Sequence, residues 1–258
     1  MKIIFKYLKY LVTSKSYSSI QSPFIFNLMK NVILEKTEKT SCLDIEILVK
    51  KLHKESREIK VTDFGAGSKI NISKKRKIKD IAKNSAKNKK FGRLLYRMVN
   101  HYNPKNIIEL GTSLGISTAY LSNGKPNSNI FSLEGCKSTA NIALENFKKI
   151  NIKNIELVVG EFNETLTPTL TKMKTVDLAF IDGNHQKNPT LQYFKKILDY
   201  SNNNTIFIFD DIYWSKEMEE AWQIIQEHPA TTATVDLFFI GIVFVNPDLS
   251  KEKFKIRF

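Results

Sequence analysis

Short apolar runs alternate with longer helical patterns from Phe91 onward, and this alternation most constrains the fold of the 258-residue chain. Strands that alternate with helices predict an α/β fold, in which a parallel sheet is covered by helices on both faces. The predicted strands are Asn106–Leu110, Ile130–Glu134, Ile155–Val159, Val176–Ile181 and Thr205–Asp210. The predicted helices are Gly115–Leu121, Thr139–Ile150, Pro189–Leu198 and Lys216–Gln226.

Two further apolar runs close the pattern. Thr232–Phe238 and Ile240–Val245 are separated by a single residue, so they predict an antiparallel pair at one edge of the sheet. The first 90 residues lack the alternation: they are Lys-rich, helical in pattern, and contain a glycine loop and a basic stretch. We therefore predict an N-terminal helical extension over residues 1–90 and an α/β domain over residues 91–258.

The first twelve residues form an amphipathic pattern. Lys6 and Lys9 interrupt the apolar stretch and no small-residue cleavage site follows, so a signal peptide is not expected. No apolar run approaches the ~20 residues of a membrane-spanning helix. Two interpretations stay open: a helix docked on the domain, and a basic helix that contacts an anionic membrane surface. On a helical wheel one side holds Ile4, Phe5, Leu8, Leu11 and Val12, and the other holds Lys2, Lys6 and Lys9.

The formal net charge of +14 is concentrated in one place. The stretch Lys69–Arg93 holds eleven Lys or Arg residues and a single acid, Asp80, which leaves the rest of the chain nearly balanced. A solvated helical face explains this stretch, and contact with nucleic acid or another acidic substrate is the alternative. Cys42 and Cys136 have no metal-type spacing and suggest no disulfide framework, so a cytoplasmic protein is expected.

The first predicted strand runs directly into a glycine loop, Glu109-Leu110-Gly111-Thr112-Ser113-Leu114-Gly115. Glycines at such a turn let the backbone approach a ligand, and the following helix N-terminus offers free N–H groups. The spacing is G-x-x-x-G, whereas the dinucleotide fingerprint is G-x-G-x-x-G. A carboxylate at Glu109 would repel a pyrophosphate, but it can hold the positively charged amino acid end of S-adenosylmethionine.

Acidic residues also mark the ends of the next two strands. Glu134 follows Gly111 by 23 residues and suits the hydroxyls of a ribose, by the same physics as the acid of dinucleotide sites. Gly160-Glu161-Phe162 follows the third strand, where the carboxylate can accept from an adenine amino group and the ring can pack near the base. Two alternatives to a cofactor site stay open: Glu134 is a solvated acid at a strand end, and the turn at Gly111 is an ordinary tight turn.

These features together resemble the class I S-adenosylmethionine-dependent methyltransferases, over about 155 residues from Phe91 to Asn246. The resemblance implies a Rossmann-like, mostly parallel seven-stranded sheet that ends in an antiparallel pair. It extends to bacterial members with Ser-Pro-Phe near the N-terminus and the segment Asp63–Ser68. That segment looks like a second acidic, glycine-rich loop, but no strand ending in an acid follows it, so we do not expect it to hold the methionine end of the cofactor. A functional loop over the site is the alternative interpretation. The implied cofactor residues are Glu109, Gly111, Thr112, Ser113 and Gly115 at the methionine end, Glu134 at the ribose, and Gly160, Glu161 and Phe162 at the adenine.

The fourth and fifth strands end in Asp182-Gly183-Asn184-His185 and Asp210-Asp211. In a parallel sheet these ends share one edge, beside the cofactor, and three carboxylates there would repel one another unless a cation such as Mg²⁺ compensates. The alternative is that one aspartate caps a helix and the others face water. The pattern resembles metal-dependent O-methyltransferases of the catechol and caffeoyl-coenzyme A type, which implies Asp182, Asp210 and Asp211 as metal ligands.

Two departures from that type concern the chemistry. The catechol type has Asn at the position of Asp211, and Lys where His185 stands. Imidazole exchanges protons near neutral pH, so His185 beside Asp182 is the candidate general base, with a hydrogen-bonded structural histidine as the alternative. Tyr213 and Trp214 either line an acceptor pocket or pack beneath the following helix.

The expected function is methyl transfer from S-adenosylmethionine to an oxygen of a small molecule, with assistance from a metal such as Mg²⁺. A methyltransferase that acts on RNA or another acidic macromolecule through Lys69–Arg93 is the first alternative. A non-catalytic cofactor-binding module, docked at a membrane through residues 1–12, is the second. The sequence leaves the acceptor and the oligomeric state open.

Overall fold

The computed structural model describes residues 2–16, 19–36, 40–62, 75–85 and 89–258. The chain divides into two compact units, one formed by Met1–Leu34 with Leu170–Phe258 and the other by Glu35–Thr169. We call the first the outer unit, because it combines the first and last parts of the sequence, and the second the central unit, because it is the middle part of the sequence. The predicted division at residue 90 stays a prediction. The glycines of Asp63–Ser68 lie outside the described residues, as do residues 69–74 and 86–88 of the basic stretch.

The described helices and strands follow the predicted alternation. The α-helices are α1 (Lys2–Thr13), α2 (Pro23–Leu28), α3 (Leu43–Leu52), α4 (Ile78–Ser85), α5 (Lys89–Tyr102), α6 (Ile116–Gly124), α7 (Lys137–Lys149), α8 (Phe162–Met173), α9 (Lys187–Leu198) and α10 (Lys216–Glu227). The strands are β1 (Glu58–Lys60), β2 (Lys75–Lys77), β3 (Asn106–Leu110), β4 (Asn129–Glu134), β5 (Ile155–Val159), β6 (Val176–Ile181), β7 (Ser201–Asp210), β8 (Ala233–Asp236), β9 (Ile240–Phe244) and β10 (Glu252–Lys255). A π-helical turn, Met29–Ile33, continues α2, and a short 3₁₀ turn, Thr40–Cys42, precedes α3.

The main sheet has eight strands rather than the expected seven. Five belong to the outer unit in the order β10-β8-β9-β7-β6, and three belong to the central unit in the order β3-β4-β5. The central unit's strands are parallel, as are β6 and β7, whereas β9 is antiparallel to both β7 and β8. The predicted antiparallel pair is therefore confirmed. The additional strand is β10, which runs parallel to β8.

Burial explains why the parallel strands form where they do. Four of the five residues of β3, five of the six of β6 and the last six of β7 are buried, as expected for strands that are covered on both faces. Within the outer unit, the ring of Phe194 on α9 meets Phe207 and Phe209 of β7 edge to face, at centroid distances of 5.0 and 5.9 Å. Helix α9 therefore covers β7 through aromatic contacts.

Helix α1 docks on the outer unit through a side of the helix that the apolar pattern did not indicate. Tyr10 is buried, and the ring of Tyr7 meets that of Phe238 edge to face at 4.9 Å. Four of the five apolar residues expected to dock are instead exposed: Ile4, Phe5, Leu8 and Val12. Within the described part of the chain, no helix is long and apolar enough to cross a bilayer.

Candidate functional site

The glycine loop between β3 and α6 contains three residues with left-handed backbone. The φ angles are 103° at Gly111, 49° at Ser113 and 79° at Gly115. A side chain at Gly111 would be strained, because L-residues other than Asn and Asp rarely adopt such angles. A Cβ at Gly115 would come within 2.5 Å of the ring of Phe147, so this glycine is also required for the packing of α6 against α7. The loop therefore holds a turn that few other sequences permit.

Glu109 lies beneath this loop and is fully buried. Its Oε2 accepts hydrogen bonds from the hydroxyls of Thr118 at 2.5 Å and Ser132 at 2.6 Å. The Ser132 hydroxyl also forms a hydrogen bond with that of Thr112 in the loop. The carboxylate thus organises the loop from inside the protein. Sequence reasoning missed Ser132, although strand register could have found it, because Ser132 lies directly opposite Glu109 in the β3–β4 pair.

Glu134 stands at the end of β4 and faces the same loop. Its Oε2 accepts from the backbone N–H of Ser113 at 2.7 Å, and its Oε1 accepts from the N–H of Cys136 at 2.8 Å. The side chain is half-buried, so part of the carboxylate remains accessible. The structure therefore places an oriented carboxylate beside the left-handed turn at Ser113.

The third predicted cofactor segment follows β5. The backbone N–H of Gly160 donates to the carbonyl oxygen of Glu134 at 3.0 Å, which joins this segment to the end of β4. Gly160 has a φ of 151°, Glu161 is exposed, and Phe162 begins α8 with a half-buried ring. The structure thus brings Gly160 next to Glu134 and leaves the carboxylate of Glu161 in solvent.

The segment that leads into Asp63–Ser68 is anchored close to Glu134. The backbone N–H of Thr62 donates to Sγ of Cys136 at 3.4 Å, and Cys136 itself donates its N–H to Glu134. From the sequence, Cys136 is interpreted only for disulfide and metal chemistry. Its position two residues after a strand-end acid was the available signal for a role in shaping the site.

The strand-end residues of the outer unit form a compact polar cluster. One ligand atom from each of Asp182, His185 and Asp210 lies within 4.8 Å of the other two. Nε2 of His185 lies 3.6 Å from Oδ1 of Asp182. Asp210 is buried, whereas Asp182 and His185 are half-buried. Of the residues predicted at this site, Asp211 does not belong to the group.

The backbone around the cluster is left-handed at three residues. The φ angles are 67° at Asn184, 53° at Asp211 and 28° at His185; Asn and Asp adopt this region more readily than most residues, whereas the angle at His185 lies outside its usual range. Such outliers persist where the surrounding structure enforces them, and they concentrate at functional sites. The turn at Asp211 is held by its N–H, which donates to the carbonyl oxygen of Phe239 at 2.7 Å. This turn explains why Asp210 and Asp211, although adjacent in sequence, do not share the cluster.

A buried acceptor in the same loop lacks a partner among the described residues. Nδ2 of Asn184 donates to the hydroxyl of Tyr193 at 3.1 Å, whereas Oδ1 of Asn184 is buried and receives no hydrogen bond. Native proteins rarely leave such atoms unsatisfied without a bound water, ion or ligand. The loop between Asp182 and His185 is therefore suited to receive a further polar group.

The two aromatic residues after Asp211 have different surroundings. The ring of Tyr213 stacks on that of Phe238 at 5.1 Å, and its hydroxyl donates to Oδ2 of Asp236 at 2.6 Å. Burial raises the pKa of Asp236, and burial with this neighbouring carboxyl raises that of Tyr213. Tyr213 therefore packs as a structural residue. Trp214 is exposed.

The described part of the basic stretch is partly neutralised by the protein itself. Oε1 of Glu46 lies 2.7 Å from Nη2 of Arg93, and its Oε2 lies 2.8 Å from Nζ of Lys89. These two cations hold the pKa of Glu46 below its ordinary value, although burial opposes the shift. Lys75 and Lys77 on β2 are exposed. Within the described part of this stretch, Lys89 and Arg93 therefore pair with Glu46, whereas Lys75 and Lys77 face solvent.

Comparison with known proteins places these features in context. The methyltransferase domain family matches residues 108–212. A tRNA (guanine-N(7)-)-methyltransferase from Mycoplasma mobile is 32% identical over 96 residues, which are 36% of this chain and 47% of that protein. This chain thus spans about half the length of that relative. A catechol O-methyltransferase from Mycobacterium tuberculosis is 26% identical over 157 residues, which are 55% of this chain and 70% of that protein.

Solved structures share the fold. A methyltransferase from Podospora anserina, crystallised with S-adenosylhomocysteine, has a TM-score of 0.60 at 16% identity. The superposition covers 86% of this chain and 94% of that one. At this level of identity the likeness shows a common fold, which extends well beyond the segment that matches the family.

Proposed function

We propose that this chain, which carries a class I methyltransferase domain at residues 108–212, transfers the methyl group of S-adenosylmethionine to an oxygen atom of a small molecule. The relationship to class I methyltransferases that the sequence predicted is confirmed by the family match and the shared fold. The observation that carries the proposal is the carboxylate of Glu134, fixed at the end of β4 by the N–H of Ser113. An acid at this place suits the two hydroxyls of a ribose.

The central unit fits the cofactor. Glu134 would accept from the ribose hydroxyls, and the left-handed backbone at Gly111 would allow the methionine end to approach the main chain. Glu109 would act from beneath, because its buried carboxylate holds the hydroxyls of Thr118 and Ser132 that keep the loop in place. Phe162, half-buried at the start of α8, would pack near the adenine.

The polar cluster of the outer unit fits a divalent cation. Two carboxylates supply the hard oxygen ligands that Mg²⁺ prefers, and the buried oxygen of Asn184 supports a further polar group nearby. We propose Asp182 and Asp210 as the ligands. A cation bound there would make an acceptor hydroxyl more acidic. Asp211 lies outside the cluster, so it carries no part of this proposal.

The residues of the chain then have distinct tasks. The sulfonium already activates the methyl group, so the protein mainly aligns donor and acceptor for in-line displacement. His185 would accept the proton of the acceptor hydroxyl at an imidazole nitrogen, and the Asp182 carboxylate 3.6 Å away would stabilise the imidazolium that forms. The unusual backbone angle at His185 would fix the direction of the imidazole.

The test is transfer of labelled methyl from S-adenosylmethionine to a panel of catechols and other hydroxylated small molecules. A chelator should abolish the transfer and Mg²⁺ should restore it. Asp210→Asn should lower turnover and spare cofactor affinity, because the predicted cofactor carboxylates lie on other strands. His185→Ala should lower the rate by about 10²–10⁴-fold, the usual contribution of general acid–base catalysis. Full activity in chelator would refute the metal, and an unchanged His185→Ala rate would refute the base.

A second candidate acceptor is RNA. The relative from Mycoplasma mobile is named for a tRNA substrate, and Lys75 and Lys77 offer exposed positive charge on β2. RNA binding should weaken steeply with salt, because each neutralised phosphate releases counterions. Reversal of Lys75, Lys77 and Lys79 to Glu should then abolish binding. An absence of RNA binding at low salt would exclude this candidate.

We also propose the cytoplasm as the compartment in which the protein acts. Cys42 and Cys136 are both buried and form no disulfide, which suits a reducing environment. Labelling of the thiols after rapid denaturation of whole cells would test this. Both cysteines should react as free thiols, and an oxidised cysteine would argue against the proposal.

A further inference from the structure

Helix α1 presents a contiguous apolar surface to solvent. Ile4, Phe5 and Leu8 are 62%, 67% and 52% exposed, and Val12 is 85% exposed. Residues three and four apart lie on the same side of a helix, so these four side chains form one stripe. Scattered exposed apolar residues are ordinary, but a contiguous stripe on one helix marks an interaction surface.

The stripe is not needed to hold the helix on the protein. The opposite side of α1 docks through Tyr10, whose hydroxyl donates to the carbonyl oxygen of Ile256, and through the contact of Tyr7 with Phe238. Lys6 forms an ion pair with Glu219 on the same docked side. The helix is therefore fixed in an orientation that leaves the stripe facing outward.

Positive charges surround the stripe. Lys9 is exposed next to it, and Lys15 is exposed beyond the C-terminal end of the helix. The guanidinium of Arg257 donates to the carbonyl oxygen of Leu11, and Lys15 forms a β-bridge with Ile256. The C-terminal segment thus adds the cation of Arg257 to the end of α1. This segment follows β10, the additional eighth strand of the main sheet.

We propose that the stripe of α1 (Ile4, Phe5, Leu8 and Val12) binds the surface of an anionic membrane. An amphipathic helix of this kind lies in the plane of the interface, with its apolar side chains among the acyl chains and its basic residues at the headgroups. The charge distribution favours a bilayer over a second copy of this chain. Two copies that paired through this stripe would bring the exposed Lys9, Lys15 and Arg257 against their own counterparts.

The docked side of α1 leads to the polar cluster of the outer unit. Phe239 is 40% exposed and its ring lies 6.1 Å from that of Tyr7 on α1. The carbonyl oxygen of the same Phe239 accepts from the N–H of Asp211, which follows the cluster residue Asp210. Membrane contact through the stripe would therefore place the loop that begins at Asp211 one helix diameter, ~10 Å, from the lipid surface. The inference does not depend on which acceptor the protein methylates.

The test is co-sedimentation of the full chain with vesicles of phosphatidylcholine, with and without phosphatidylglycerol. The chain should bind the anionic vesicles. Phe5→Ser with Leu8→Ser should lower the partition coefficient by at least about tenfold, because apolar contact with the bilayer is lost. Lys9→Gln with Lys15→Gln should lower it by about 25-fold on anionic vesicles, at about fivefold for each charge near such a surface.

A matched control separates the stripe from exposed apolar residues in general. Leu144 and Ile224 are 44% and 43% exposed on other helices, and their double change to Ser should leave vesicle binding intact. Thermal melting would show that all variants fold, since every changed side chain is exposed. Absence of binding to anionic vesicles would overturn the proposal. So would a dimer in sedimentation velocity that Phe5→Ser with Leu8→Ser dissociates, because a second copy would then occupy the stripe.

Discussion

Replacement of Glu134 is the most informative single change in the central unit. Its carboxylate accepts from the N–H groups of Ser113 and Cys136, at 2.7 and 2.8 Å, and in our proposal also from the ribose hydroxyls. Glu134→Ala removes every one of these acceptors. Glu134→Gln keeps one acceptor oxygen and replaces the other with a donor, so it should retain part of the function.

The expected loss of cofactor affinity follows from the number and kind of these bonds. Hydrogen bonds to a charged group contribute about 1–3 kcal/mol, which corresponds to an affinity about 5- to 150-fold weaker in Glu134→Ala. The weakened hold on Ser113 should add to the loss, because the loop must then be ordered by the cofactor itself. Glu134→Gln should fall between Glu134→Ala and the unchanged chain.

Isothermal titration calorimetry with S-adenosylhomocysteine measures this directly. Glu156 offers a matched control, because it is an exposed acid on the neighbouring strand β5 and does not stand at a strand end. Glu156→Ala should bind as tightly as the unchanged chain. Equal affinity of the Glu134→Ala variant and the control, with both chains folded, would remove Glu134 from the site and refute the reasoning about strand-end acids.

Three further changes test the loop and the packing. Gly111→Val should abolish cofactor binding in calorimetry, because a φ of 103° is strained for valine. Gly65→Ala should leave most of the cofactor affinity. If Gly65→Ala instead weakened binding more than Gly111→Val, Asp63–Ser68 would be the loop that holds the methionine end. Glu109→Ala should lower the free energy of unfolding by about 2–4 kcal/mol, because the buried hydroxyls of Thr118 and Ser132 lose their acceptor. A melting temperature equal to that of the unchanged chain would contradict a stabilising role for Glu109. Burial and the nearby Lys195 and Lys251 lower the pKa of His228, whose Nδ1 accepts from the N–H of Ala230. The stabilisation by neutral His228 is fully present above the ordinary histidine pKa of about 6.5, and it is lost as pH falls through the lowered pKa. In His228→Asn, the free energy of unfolding should therefore fall less steeply as the pH is lowered. An unchanged acid side of the plot of unfolding free energy against pH would contradict this.

The parallel strands could be predicted from the sequence because they are buried on both faces. Such strands read as continuous apolar runs, and β3 and β6 begin and end where the pattern indicated. The charged strands could not be predicted in this way. In β10 only Phe254 is buried, and β2 consists of Lys-Arg-Lys, so neither has an apolar run to reveal it.

Side-chain direction was the harder part of the site. Parallel topology was sufficient to suggest that Asp182 and Asp210 would meet, and the structure brings them together with His185. The turn at Asp211 depends on a hydrogen bond to the distant Phe239, which no local pattern encodes. Glu109 likewise directs its carboxylate inward because hydroxyls on two other elements bind it.

The docking side of helix α1 also could not be predicted from the local sequence. A helical wheel identifies the apolar side of a helix, and burial of that side is the ordinary outcome. In α1 the docking side is instead formed by Tyr7 and Tyr10, whose rings pack while their polar ends remain available for hydrogen bonds. The partner residues of these tyrosines lie more than 200 positions away in the chain, so their contacts could not be inferred from residues 1–12.

The central claim, that the chain uses S-adenosylmethionine, is tested most directly by titrating this chain with S-adenosylhomocysteine and, separately, with NAD in a calorimeter. We expect one molecule of S-adenosylhomocysteine to bind per chain and NAD to give no heat of binding. Binding of NAD without binding of S-adenosylhomocysteine would contradict the account, because it would assign the glycine loop and Glu134 to a different cofactor.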